Sequence, residues 1–148
     1  MQDRPTVHEL LDALGRFLDE EIVPATDGRR QFLARVAANV ARMVDRELAA
    51  EETQLVEEWS RLQTLHAVAT GSPPSDPKPG DREALRTAIA GATGELCRRI
   101  RAGEVDAGGG LRAAVLDHLR RTVRDKLVVS NPSWLEADTA PASATKGE

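Results

Sequence analysis

The chain has no tyrosine, one cysteine and only four aromatic residues among its 148 residues. A single cysteine cannot form a disulfide within the chain, and Cys97 has no histidine or cysteine nearby at the spacing of a zinc ligand. No apolar run reaches the roughly 20 residues that a membrane-spanning helix needs. The N-terminus lacks the basic and then apolar segments of a secretory signal, so we expect a cytoplasmic protein.

The sequence also lacks a strong charge of one sign. Its net charge is −4, with 8 basic and 14 acidic groups in residues 1–76 but 12 and 10 in residues 77–148. A modestly acidic chain argues against nucleic-acid binding, which needs a strong basic footprint. The asymmetry between the two halves is compatible with a local anion site or with a partner of complementary charge.

Alanine, leucine, arginine and glutamate are abundant, and this composition favours helix. Apolar residues recur at helical spacing over five segments, at about 6–22, 29–49, 51–69, 82–102 and 111–128. Thr6 and Glu9 predict the N-terminus of the first helix, and Pro24 predicts its end. Asp27 and Asp81 predict the N-terminal caps of the second and fourth helices. We therefore predict an all-α fold, a single-domain bundle of about five helices over residues 1–135.

The sequence makes a specific prediction for each of two segments and two helices. The proline-rich stretch "TGSPPSDPKPGD", residues 70–81, predicts a linker between helices three and four, and residues 136–148 predict a disordered C-terminal tail. Helix two is apolar over most of its circumference, which is typical of a helix at the centre of a bundle. Helix five is expected to turn inward the residues Leu111, Val115, Leu119, Val123 and Leu127.

One polar stripe on helix two is the first candidate site. Arg35, Asn39, Arg42 and Arg46 are separated by four, three and four residues, which places them on one helical face. Arginine forks make paired hydrogen bonds to carboxylates and phosphates, so the stripe could bind an anion or an acidic partner. The simpler interpretation is a solvated edge whose arginines pair with the acidic first helix. Both interpretations stay open at this point.

The end of helix five, "HLRRTVRDKLVV", is the second candidate site. Arg120, Arg124 and Lys126 lie in its last turns, where cations interact favourably with the negative end of the helix dipole. Lys126 projects onto the predicted apolar arc, so it either extends to solvent from the helix end or meets a buried carboxylate, for which Glu21 is a candidate. The same three cations could bind an anion or a partner.

The sequence offers no catalytic constellation. His8, His66 and His118 fall on three different helices without carboxylates or cysteines at ligand spacing, so we expect histidines at the edge of the core and no metal site. The triple glycine at 108–110 follows no strand and lacks the lysine of a phosphate loop. We accordingly predict no catalytic residue and no cofactor.

Both ends of the folded part resemble a small bacterial family of unknown function. The resemblance lies in "MQDRPTVHELLDALGRFLDEEIVPATDGRRQFLARVAANV" and "LRRTVRDKLVVSNPSWL", which cover roughly residues 1–49 and 111–135. Members of that family often occur beside, or fused to, aminoglycoside-phosphotransferase-like kinases, and near acyl-CoA dehydrogenases. The resemblance implies a companion subunit for a kinase that acts on hydroxyacyl-CoA thioesters in acid catabolism, and it carries no active site across.

Three functional hypotheses follow. The first is a non-catalytic accessory subunit that binds and supports such a kinase. The second is a small acyl-CoA or phosphate-binding module in which Arg35, Arg42, Arg124 and Lys126 hold a coenzyme A thioester. An independent hydrolase is the third. Homo-oligomerisation also stays open: Trp59 or the alanine-rich side of helix two could form an interface, and so could neither.

Overall fold

The computed structural model describes residues 4–72, 80–106 and 108–135. The regular structure in these ranges is entirely helical, which confirms the predicted all-α fold with five helices. The elements in chain order are α1 (Val7–Phe17), a π-helical turn (Leu18–Ile22), α2 (Val23–Ala25), α3 (Gly28–Thr70), α4 (Arg82–Arg101) and α5 (Gly110–Ser130). The middle of the predicted linker, 73–79, and the predicted tail, 136–148, lie outside the described residues.

The longest element, α3, joins the two helices that the sequence analysis separates near residue 50. It runs unbroken for 43 residues and ends at Gly71, whose φ of 71° is left-handed. No glycine or proline interrupts the chain between its first residue and Gly71, so nothing in the backbone forces a break. Glu51, at the start of the predicted third helix, forms ion pairs with Arg82 and Arg86 of α4.

The predicted helix starts are largely confirmed. Thr6 and Glu9 form a reciprocal capping box, with Glu9 N donating to Thr6 Oγ1 at 3.2 Å and Thr6 N donating to Glu9 Oε2 at 2.7 Å. Asp81 Oδ1 accepts from Ala84 N at 2.7 Å at the start of α4. Asp27 takes the cap position of α3 without a side-chain hydrogen bond.

The helical path continues past Pro24, where the sequence predicts an end. The π-helical turn directly precedes the proline, and the Val23 N–H reaches back to the Leu18 carbonyl. A proline inside a helix normally clashes with the carbonyl four residues earlier. The wider π turn places Pro24 at the start of a new turn, where a missing N–H costs little, and helical structure ends at Ala25.

The other three long helices all pack on α3. In the described part, α1 packs on its N-terminal half, α4 and α5 pack on it separately, and the close backbone contacts of these three helices are all with α3 or with the turns next to it. The buried core surrounds the C-terminal half of α3 and comprises Trp59, Leu62, Leu65, Leu85, Ile89, Leu96, Val105 and Val115. The N-terminal half is covered mainly by α1, with the π-helical turn, α2 and the end of α5 beside it.

The contact between α1 and α3 consists of small residues at spacings of three and four. On α3 the buried residues are Ala34, Ala38 and Ala41, and on α1 the buried residue is Gly15. Small side chains let two helices approach closely along such a seam. The expectation that helix two is central in a bundle is therefore wrong: its narrow alanine side is buried against α1, and its larger Val, Leu and Phe side chains are exposed.

Candidate docking surface

Two arginines of the predicted stripe have structural partners. Arg42 Nη2 forms an ion pair with Asp19 in the π-helical turn. Arg46 Nε donates to the backbone carbonyl of Val129 at 2.7 Å, which satisfies one of the carbonyls that α5 leaves unpaired at its C-terminus. These two side chains tie α3 to its neighbours, as the simpler interpretation of the stripe expects.

The other two members of the stripe, Arg35 and Asn39, are exposed and have no hydrogen bond or ion pair with any described residue. They border the apolar side of α3 without belonging to it. The stripe thus divides into two structural arginines and two free polar side chains, and a binding role for the free pair stays a prediction.

The helix α5 presents an unexpected face to solvent. Leu119 and Val123, predicted to point inward, are 43% and 57% exposed, and Leu116 is 41% exposed. Arg120 and Arg124 lie one turn apart beside them, exposed and without partners among the described residues. We define these five residues as the α5 outer face. It combines apolar area with two free guanidinium groups.

The side of α5 that faces α3 combines the buried valines Val115 and Val129 with a polar cluster. His118 is buried, Asp125 Oδ2 accepts from Arg61 Nη2 at 2.7 Å, and the Thr122 hydroxyl is buried without a hydrogen-bond partner in the structure. The Nε of Arg61 and the Nδ1 of His118 are also buried and unpaired. Sequence periodicity missed this cluster, because it assigns the inward side of an amphipathic helix to leucine and valine.

Burial in this cluster sets the protonation of His118. Removal from water lowers the pKa of His118 below its ordinary value of 6.5, and the nearby positive charge of Arg61 lowers it further. The carboxylates of Glu58, Asp117 and Asp125 act in the opposite direction and are outweighed. His118 is therefore neutral at pH 7 and deep in the fold, not at the edge of the core as predicted.

Lys126 does not form the ion pair that the sequence analysis considers. Its side chain is exposed at the rim of a groove of about 690 Å³ between α3 and α5. Glu21 lies in the π-helical turn, which packs against α1, α2 and α3 and makes no close backbone contact with α5. The wall of the groove is mostly apolar and carries charges of both signs, with Glu47, Glu51, Glu58 and Asp125 beside Arg86 and Lys126.

An apolar cavity of about 270 Å³ lies between α3 and α4. Its wall includes Trp59, Leu62, Leu65, Ala92, Leu96 and Leu111. Arg99 also lines it, but its guanidinium is held by Glu95 and Glu104 at 3.0 and 3.1 Å. The volume lies just below the roughly 300–1,000 Å³ of ordinary ligand pockets.

The cations proposed to hold coenzyme A are not gathered in one place. Asp125, next to Arg124, bonds to Gln54 and Arg61 of α3. Arg35 lies about 19 residues before Gln54, or roughly 28 Å along the helix axis at 1.5 Å per residue. Arg35 and Arg124 therefore belong to separate surfaces, and the structure gives the coenzyme A hypothesis no common site.

The described residues lack both a candidate metal site and a candidate membrane-spanning helix. They contain no group of three or more His, Cys, Asp or Glu side chains placed to hold a metal ion. Their helices include no segment that is both long enough and apolar enough to cross a membrane.

A family profile described as a domain of unknown function (DUF6285) matches residues 24–134, three quarters of the chain. The chain belongs to this family. The matched span contains α3, α4 and α5, including the α5 outer face, and leaves α1 outside. No curated protein and no solved structure matches the chain. Membership confirms the expected kind of family, one of unknown function.

Proposed function

We propose that the protein is a non-catalytic accessory subunit that docks onto another protein through the α5 outer face. The observation that carries the proposal is the orientation of α5, which exposes Leu116, Leu119 and Val123 and turns the buried His118 and the partly buried Asp125 toward α3. Full burial of an exposed leucine or valine contributes about 1.5–3 kcal/mol, and these side chains, which are 41–57% exposed, forgo part of that free energy. Coverage by a partner recovers that free energy.

The two free arginines of the face indicate the chemistry of the partner. Arg120 and Arg124 lie one turn apart, so both can engage one acidic patch. Arginine is enriched at protein interfaces, where its planar fork pairs with carboxylates. The partner therefore presents an apolar strip flanked by aspartate or glutamate.

The family resemblance supports one kind of protein as the partner. On that basis it is an aminoglycoside-phosphotransferase-like kinase that acts on hydroxyacyl-CoA in acid catabolism. Phosphoryl transfer then takes place on the kinase, with its own nucleotide and metal apparatus. The role of this protein is to stabilise or activate that enzyme.

Co-purification from the native host tests the proposal. Tagged protein is expected to capture a kinase of this type, identified by mass spectrometry. Val123→Glu should abolish capture, because it places a carboxylate in the centre of the apolar strip. The matched control is Val128→Glu, the same substitution on another side of α5 at a residue that is also partly exposed.

The arginines are tested separately. Arg120→Glu with Arg124→Glu should weaken capture and reduce its dependence on salt, since surface ion pairs are screened by ions. Failure to capture any such kinase would contradict the proposal, as would kinase activity in the host that is unchanged after deletion of this protein.

A further inference from the structure

A second exposed apolar surface lies on the hairpin formed by α1 and the N-terminal half of α3. Ten large side chains on it are between 42% and 63% exposed. We call them the hairpin face; they are Val7, Leu10, Leu14 and Phe17 of α1 and Phe32, Leu33, Val36, Val40, Val44 and Leu48 of α3. This surface is separate from the α5 outer face, so the inference below does not rest on the proposed function.

Helix geometry places most of the α1 and α3 residues of the hairpin face on the same side, with Phe32 and Val36 at the edge of α3 that is turned away from α1. At about 100° per residue, the seam residues Gly15 and Ala38 mark the direction in which each helix faces the other. Leu10 and Leu14 lie on one side of that direction, and in the antiparallel partner Val40 and Val44 lie on the same side. The other side carries charge, including Asp19 and Arg42, which pair with each other. The hairpin therefore has one charged and one apolar side.

The hairpin face is large enough for a stable interface. Its fractional exposures correspond to roughly 900 Å² of accessible area, above the roughly 300–600 Å² of the largest patch on a typical monomer. The value matches the roughly 800 Å² that each partner contributes to a standard protein interface. A surface of this size needs an occupant.

The occupant does not come from the same chain. The helix α5 reaches this part of α3 only with its C-terminal end, near Val44 and Arg46, and Trp134, after the end of α5, is 66% exposed. The residues outside the described ranges, 1–3, 73–79, 107 and 136–148, contain Met1 as their one large apolar side chain. The cover must therefore be another molecule.

Charge at the two ends of the hairpin face identifies that molecule. Arg29 and Arg30 lie at the turn end, and Glu47 lies at the other end, about 27 Å away at 1.5 Å per residue. All three are exposed and without ion pairs among the described residues. A two-fold axis through the middle of the hairpin face places Arg29 and Arg30 of each copy opposite Glu47 of the other. The arrangement therefore contains two such pairings.

We infer that the hairpin face binds a second copy of this chain, so that two hairpins form an antiparallel four-helix bundle. A two-fold interface uses the same patch on both subunits, which a single self-complementary face satisfies. Four-helix bundles bury apolar sides of this kind between two layers of helices. Trp59 and the alanines of α3, two surfaces that the sequence analysis leaves open for an interface, are buried within one chain.

Mass measurement by light scattering or sedimentation equilibrium tests the inference. The wild-type protein is expected at twice the 16.0 kDa of one chain. Leu14→Glu with Val40→Glu should halve the mass while circular dichroism stays helical, because both positions are exposed in the single chain. Thr87→Glu with Ala90→Glu, at two exposed positions of α4, is the matched control and should leave the dimer intact.

A charge exchange tests the two-fold arrangement itself. Glu47→Arg alone should raise the dimer dissociation constant, because it opposes Arg29 and Arg30 of the other copy. Adding Arg29→Glu and Arg30→Glu to it should restore dimerisation. A wild-type mass of 16.0 kDa at the highest attainable concentration would overturn the inference. A double variant that remains dimeric, or a charge exchange that does not rescue, would equally overturn it.

Discussion

His118 shows how one residue links burial to pH. Its imidazole is 4% exposed, and its Nδ1 has no hydrogen-bond partner in the structure. Burial and Arg61 lower its pKa below 6.5 in the folded protein, whereas in the unfolded chain it titrates near that value. As the pH falls below 6.5, the unfolded chain binds a proton that the native state resists.

The free energy of unfolding is therefore expected to fall as the pH drops below about 6.5, by about 1.4 kcal/mol for each unit of pKa difference. Above 6.5 the contribution of His118 to stability is fully present. The measurement is urea unfolding between pH 7.5 and pH 5. His118→Met should flatten this part of the profile, and His66→Met, which changes an exposed histidine of α3, should leave it unchanged.

At the scale of elements, the length of α3 is the main departure from the sequence-based prediction. Ala50 lies where two helices were expected to meet, yet helical hydrogen bonding continues through it. Proline at this position removes one such bond and clashes with the preceding turn. Between two separate helices the same residue would be tolerated.

We therefore expect Ala50→Pro to lower the free energy of unfolding by about 3 kcal/mol or more. Chemical denaturation monitored by circular dichroism measures the loss. Ala50→Gly is the control and should cost about 1 kcal/mol. A neutral Ala50→Pro would show that the helix is broken there.

The elements also show which features a sequence can predict. Capping pairs such as Thr6 with Glu9 are local, and their prediction is confirmed. Trp59, Leu62 and Leu65 recur at helical spacing and are buried, because α4 and α5 pack on that side of α3. Periodicity finds an apolar side, but it cannot tell whether the same chain covers it.

That limit explains the errors at the candidate sites. Val36 and Val40 have the pattern of core residues, and periodicity alone would not reveal that α4 and α5 stop short of them. Leu119 and Val123 were assigned inward for the same reason. His118 was missed because a polar residue carries no periodic signal of burial. In each case the deciding fact is the arrangement of neighbouring helices, which depends on contacts distant in sequence.

At the scale of the whole molecule, α3 passes through two environments. Its C-terminal half lies in the core with α4 and α5, whereas its N-terminal half packs mainly on α1 through small side chains, with the adjoining turns and the end of α5 beside it. Local opening needs less free energy where few apolar contacts are lost. A single chain should therefore be less stable at the hairpin end than at the core end.

Hydrogen exchange of backbone amides tests this difference along one helix. In dilute protein, amides of residues 33–44 should exchange faster than those of residues 58–66, on the order of tenfold or more. At high concentration the hairpin amides should gain the larger protection, because a second copy covers the hairpin face and binding to the native state stabilises it. The Leu14→Glu and Val40→Glu double variant should lose that dependence on concentration. Equal exchange along α3 in dilute protein would contradict a hairpin that packs mainly on α1.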